Sequence, residues 1–247
     1  MSTPEENLAE GTLTSHLVEL RSRLLKVILC LAILAVPCLY FSNDLFEFLA
    51  APLIAKLPQG GQVIATSVTS GFMAPFKLAL FTALFLSVPY GLYQAWAFVA
   101  PGLYKREKNF AIPLLISSVA LFYVGILFAY MAVFPAMFAF FANSTPAGVA
   151  MMTDISSYLD FAMVMFFAFG VAFELPVVVV LLVLTGIVRT AALTENRGYV
   201  LLGVFVVAAF LTPADAISMC MMGVPMYLLY EAGLLIVRVI ERARPEE

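Results

Sequence analysis

Residues 97–109 read AFVAPGLYKREKN, a short stretch in which Lys105, Arg106, Glu107 and Lys108 follow one another. No Asp, Glu, Lys or Arg occurs from Leu78 to Tyr104, or from Asn109 to Thr153. A charged loop between two long apolar runs is the pattern of two membrane spans joined on one side of a bilayer. Short loops rich in Lys and Arg stay in the cytoplasm, so the three cations fix which side this loop faces.

The rest of the chain fits that frame. Of its 247 residues, 63% are hydrophobic and 12% charged, against about 25% charged in soluble domains. Apolar runs predict six transmembrane helices over about 24–41, 71–98, 111–135, 157–184, 199–211 and 217–237, in one all-α, polytopic, concave bundle. The last two spans are expected to be short: the fifth would reach about 20 Å against an apolar core of about 30 Å. Three cations fall in the N-terminal segment (21, 23, 26), three in the loop after span two, two after span four (189, 197) and three in the tail (238, 242, 244). The other side has only Lys56 and Lys77. Both termini are therefore expected in the cytoplasm, with a tail over 238–247.

Local signals add detail. Residues 1–12 are polar and expected to be poorly ordered. Leu13, Leu17, Leu20 and Leu24 then form an apolar stripe within an amphipathic start over 1–23, with Thr14 or Ser15 as its cap. Glu19 and Arg23, four apart, are spaced to pair. Asn43 is read as the cap of a short helix, Pro52 as its break, and residues 58–61 (PQGG) as a turn. Pro89 predicts a kink in span two. The segment 137–158 is read as a loop turning at 143–146, with Asp154 capping the next span. The first 20 residues hold four Glu and no Lys or Arg. That is unlike a cleavable signal peptide, and the first span is expected to stay as an anchor. Cys30, Cys38 and Cys220 lie in apolar segments and read as packing residues. One His excludes a multi-His metal site, and no nucleotide loop or catalytic triad is present. No cofactor or nucleic acid is expected.

Three acids stand out. Glu174 lies within an apolar span, where an ionisable group costs about 2.5–3.5 kcal/mol on insertion scales and faces an interior or a wet cavity. Pro176, two residues on, cannot donate to the Ala172 carbonyl, so a polar backbone group is freed beside the carboxyl. The structural alternative is a protonated Glu bonded to a neighbouring helix. Glu19 and Glu107 each sit among cations at the predicted cytoplasmic surface. A local ion pair worth about 0–1 kcal/mol explains either one. The sharper alternative is a carboxylate pair offered to a guanidinium, which bonds carboxylates through two parallel N–H groups. Spacing leaves both open. Asp215 reads as the cap of span six.

A set of motifs spread over nearly the whole chain carries a resemblance. They are HLVELRSRL (16–24), APLIAKLPQG (51–60), FKLALF (76–81), YQAWAFVAPGLYKREK (93–108), FAYMAVFP (128–135), FAFGVAFELPVVVVLL (167–182) and LTPADAIS (211–218). In content and order they resemble the TatC family, the multispanning receptor subunits of twin-arginine protein translocases. The resemblance implies a protein that is not an enzyme. It implies one that binds the Arg-Arg signal peptides of folded cargo and works in the cytoplasmic (inner) membrane, oligomerising with TatB. It also implies assembly with the single-span partners TatA and TatB and export driven by the proton motive force. It assigns signal-peptide binding to Glu19, Leu20, Arg21, Phe98 and Glu107. It matches the family's intramembrane Glu to Glu174, beside Pro176, its outer-loop Pro to Pro52 and its last-turn acid to Asp215. Ser22 departs from the pattern by standing where a cation is common.

The competing reading is a proton-coupled secondary transporter with Glu174 as its ion site. It would call for paired broken spans and an internal repeat, and the sequence shows no repeat. The six-span topology has a direct test. In a background lacking the native cysteines, Gly60→Cys and Ser144→Cys should label with a membrane-impermeant maleimide from outside, and Glu195→Cys only from inside. Reversal at any of the three rejects the topology.

Overall fold

The computed structural model describes residues 4–54, 63–99, 108–144, 153–212 and 216–242. Helix α1 covers Pro4–Tyr40, α2 Ser42–Ile54, α3 Ser70–Val99, α4 Lys108–Phe128 and α5 Phe134–Ser144. Helix α6 covers Ile155–Ala172, α7 Leu175–Leu184, α8 Thr190–Glu195, α9 Arg197–Leu211 and α10 Ala216–Arg242. A π-helical turn, Ala129–Val133, joins α4 to α5. Two-residue strands β1 (Val63–Ile64) and β2 (Thr153–Asp154) pair in parallel. Among the described residues, five segments are long and apolar enough to cross a bilayer, and α9 is a shorter apolar sixth. The fold is the all-α membrane bundle that the hydropathy predicts.

Several boundaries differ from the sequence reading, each for a physical reason. Helix α1 begins at Pro4, not near Leu13. Pro suits a first helical turn, where its missing N–H would have no helical partner. At 37 residues the helix is about 55 Å long, well beyond an apolar core of about 30 Å. Asn43 is inside α2, because the Leu45 N–H already bonds the Phe41 carbonyl. Pro52 does not end α2, which runs on to Ile54; a Pro so near the end removes one N–H and leaves the earlier turns whole. The stretch read as a loop from Met137 is helical to Ser144. Pro135 leaves the Met131 carbonyl without a donor and crowds it. The chain answers by widening one turn, and the Phe134 N–H bonds Ala129 O, five residues back. Of the last two spans α9 is short, at 15 residues. Helix α10 extends to 27 residues, and its basic end packs on α8. The predicted fourth span is two helices separated by Phe173 and Glu174.

That broken pair is the centre of the bundle: 56% of its most apolar window is buried, against 11% for α1. Leu159, Met165 and Phe169 are fully enclosed, and Phe134 stacks on Phe166 at 4.9 Å. Glycines set how closely the neighbours approach. A Cβ on Gly125 of α4 would lie 2.5 Å from the Phe169 carbonyl oxygen of α6. One on Gly233 of α10 would lie 2.9 Å from the Pro176 Cα of α7. Small residues at such crossings bring backbones into van der Waals contact, the main adhesive between helices in lipid.

Helix α3 passes through Pro89 without interruption. Pro89 has no N–H for the Phe85 carbonyl, and the Tyr123 hydroxyl of α4 donates to that carbonyl at 3.0 Å. At one end of the bundle, Asp154 ties two distant segments together. Its Oδ2 accepts from the Ser157 N–H at 3.1 Å and Oγ at 3.0 Å, capping α6 as its position predicts. Its Oδ1 accepts from the Thr66 N–H at 3.2 Å and Oγ1 at 2.9 Å, beside the β1–β2 pair. These bonds, the Ser157 N–H foremost, favour the carboxylate and hold its pKa at about 2. Lys77 of α3 pairs with Asp160 of α6 at 2.9 Å near the same end.

The glycine contacts predict opposite outcomes at two sites. Gly125→Ala should destabilise by about 1–3 kcal/mol, because the Phe169 backbone cannot step aside. Gly203→Ala, with nothing within 4 Å, should be neutral or slightly stabilising. Thermal denaturation of the two variants in one detergent checks the contrast, and equal melting temperatures would contradict it.

Candidate functional site

The motif residues 16–23 lie on the part of α1 that packs along α3. Arg23 sits between the two helices. Its Nε and Nη2 donate to Glu19 Oε1 at 2.9 and 2.6 Å. Its Nη1 donates to Gln94 Oε1 of α3 at 3.1 Å, and Nη2 also reaches the Ala97 carbonyl at 3.1 Å. Gln94 is only 6% exposed. Ala97 is in the last turn of α3, where carbonyls lack helical donors and the helix dipole is negative. The pairing of Glu19 with Arg23 is thus the one the spacing predicts, with a reach into α3 that spacing does not reveal. One helical turn earlier, His16 sets its ring edge against Phe98 at 5.3 Å.

Leu20 and Arg21 are exposed. Glu107 and Asp215 lie outside the described residues. Pro52 is in the last turn of α2. The structure therefore brings Glu19, inside α1, beside the C-terminal turn of α3 that carries Phe98. It gives a carboxylate, a backbone carbonyl at the end of α3 and an aromatic ring close together, an arrangement that already holds the Arg23 guanidinium.

Glu174 sits at the break between α6 and α7. It occupies the N-cap position of α7 without a side-chain cap bond, and Pro176 follows in the first turn. The break keeps most backbone groups paired: Phe173 N–H bonds Phe169 O, Glu174 N–H bonds Val171 O, and Val178 N–H bonds Glu174 O. The Ala172 carbonyl loses its helical donor at Pro176, as the sequence implies. The Ser118 hydroxyl of α4 lies within electrostatic reach of the Glu174 carboxyl. It does not form a well-shaped bond: Glu174 Oε1 and Ser118 Oγ are both buried and without a hydrogen-bond partner among the described residues. An apolar groove of about 430 Å³ runs beside the break, walled by Phe81, Val171, Leu175, Val207 and Met226 among others. Glu174 is not one of its walls.

Glu231 was not singled out in the sequence. Glu231 of α10 accepts from Arg197 Nη2 of α9 at 2.8 Å and from the Tyr227 hydroxyl at 2.9 Å. The signal that found Glu174, an acid inside an apolar span, applies equally to Glu231. Gln94 was legible only as a polar residue in a charge-free run. No group of three or more His, Cys, Asp or Glu that could hold a metal occurs among the described residues.

Spanning apolar helices with ionic groups paired across helix ends define a multi-pass helical membrane protein. A family model described as "Sec-independent protein translocase protein (TatC)" matches residues 15–225. Proteins called Sec-independent protein translocase protein TatC are similar over most of their length. The one from Azotobacter chroococcum is 52% identical over 234 residues, covering 94% of this chain and 92% of that protein. The one from Haemophilus influenzae is 50% identical over 226 residues, covering 92% and 88%. The one from Escherichia coli K12 has the same identity and coverage. A solved structure, "Crystal Structure of Twin Arginine Translocase Receptor- TatC", superposes with a TM-score of 0.83 at 34% identity, covering 92% of this chain and all of that one. The chain belongs to the TatC family, a family of translocase components and not of enzymes.

Proposed function

We propose that this protein is the receptor and core scaffold of a twin-arginine translocase in the cytoplasmic membrane, with both termini inside. It captures the Arg-Arg signal peptides of folded cargo at the basic end of the bundle. With TatA and TatB partners it exports that cargo using the proton motive force. The observation that carries this reading is the Arg23 contact set. A guanidinium already fits against the Glu19 carboxylate and the Ala97 carbonyl in the last turn of α3. Glu107, in the adjoining charged loop, is the proposed second carboxylate, and Phe98 offers an aromatic surface beside them. The name of the similar solved structure, a twin-arginine translocase receptor, supports the same reading.

Guanidinium bonds carboxylate through two N–H groups and ammonium does not. The site should therefore prefer an Arg-Arg to a Lys-Lys peptide. Hydrogen bonds to charged groups are worth roughly 1.5–3 kcal/mol, so Glu19→Ala or Glu107→Ala should weaken Arg-Arg binding about tenfold or more. Photocrosslinking of a signal peptide to the protein in membranes, with titration of the variants, measures this. Wild-type affinity in both variants and in the double variant would remove the site from these residues.

Glu174 has a different proposed role. Its partnerless carboxyl oxygen at a helix break is suited to receive a polar group from a membrane-embedded helix, either of a single-span partner or of the signal peptide. A hydrogen bond worth about 0.6–2 kcal/mol is enough to bias assembly. Glu174→Gln should keep most export, whereas Glu174→Ala should impair export and partner crosslinking with peptide capture intact. Full export by the Ala variant would rule the role out.

A further inference from the structure

Arg23 is not a surface ion pair of the usual kind. Exposed pairs contribute little because two flexible side chains must be held together and water competes. The Arg23 side chain is only 22% exposed. It bonds three acceptors on two helices: Glu19, the buried Gln94 and the Ala97 carbonyl. Both of its bonds to Glu19 end on Oε1. The side chain of Glu19 is 38% exposed. Arg23 thus holds one carboxylate oxygen, on a side chain that keeps part of its surface exposed.

We infer that Arg23 is a positioning residue for cation recognition, anchored by Gln94 and the end of α3 so that Glu19 presents its carboxylate in a fixed direction. This rests on the reading of Glu19 as part of the signal-peptide site. The chemistry explains why Arg is needed at this position. A planar fork with five donors can reach a carboxylate, an amide oxygen and a backbone carbonyl at once. A Lys ammonium at the end of a flexible stem cannot match that spread. A carboxylate free to swivel would bind any cation, ammonium included. A carboxylate held in one orientation favours a ligand whose N–H groups match it. Arg23 therefore acts on selectivity for Arg over Lys in the ligand, and not on affinity alone.

The test uses the full-length protein in nanodiscs, with synthetic signal peptides carrying Arg-Arg or Lys-Lys. Arg23→Lys keeps the charge and removes the fork. Gln94→Leu removes one of the two anchors on α3 and puts an apolar side chain in a buried site. Glu19→Gln is the reference. Arg23→Lys should weaken Arg-Arg binding about tenfold, and weaken Lys-Lys binding much less, so that the ratio of the two affinities falls. Gln94→Leu should lower the same ratio by about threefold, since only one of the anchoring bonds is lost. A merely structural role would lower both affinities together and leave the ratio unchanged, which would overturn the inference. So would tighter Arg-Arg binding by Arg23→Lys, the sign that Arg23 competes with the ligand. If Arg23→Lys does not fold, the ratio in Gln94→Leu decides. Loss of binding in Glu19→Gln with an unchanged ratio in the other two variants defeats the Arg23 inference alone. Unaltered binding in Glu19→Gln defeats the receptor site at Glu19 and the inference with it.

Discussion

A backbone carbonyl in lipid must be given a donor from the protein, because no water is there to supply one. This chain sets itself that problem repeatedly by placing prolines in its spans. The answers differ from site to site. At Pro89 the Tyr123 hydroxyl crosses from α4 to the freed Phe85 carbonyl. At Pro135 one turn widens to a π-helix. At Pro176 the helix stops and restarts, leaving Glu174 at the junction. The first two solutions keep a span going. The third gives up continuity at the most buried helix pair of the bundle.

The break at Glu174 can be held in place because its neighbours come so close. Gly125 lets α4 lie against the Phe169 carbonyl on one side, and Gly233 lets α10 lie against Pro176 on the other. The interruption is therefore enclosed by packed backbone, which limits the ways it can relax. Ionic groups have a separate role in joining helix to helix. Arg23 joins α1 to α3, Arg197 and Glu231 join α9 to α10, and Lys77 and Asp160 join α3 to α6. Dispersion between small residues sets the separations, and these polar contacts set the register.

Much of this was legible in the sequence. Hydropathy gives the spans, since lipid imposes a length on them. Helical spacing gives the Glu19–Arg23 pair, and the position of Asp154 before Ser157 gives the α6 cap. Less legible was anything that depends on how far a helix continues once a neighbour supports it. A Pro reads as a break when only its missing N–H is considered, yet α2 runs past Pro52 and the α4–α5 unit runs past Pro135. The partners of Gln94 and Arg197 are separated from them by 71 and 34 residues. No local pattern encodes such contacts. Glu231 is different: the reasoning applied to Glu174 covers it.

The parallel pairing of β1 with β2 is small, but it imposes an order of events on biosynthesis. The Thr66–Asp154 contact beside it joins residues 88 positions apart, with α3, α4 and α5 in between. A ribosome delivers these elements one after another, so the latch has no second half until all three have emerged and crossed or settled in the lipid. During that interval α1, α3 and the α4–α5 unit are not yet held by this latch. Once Asp154 arrives, the two segments can be fastened together before α6 to α10 have been made.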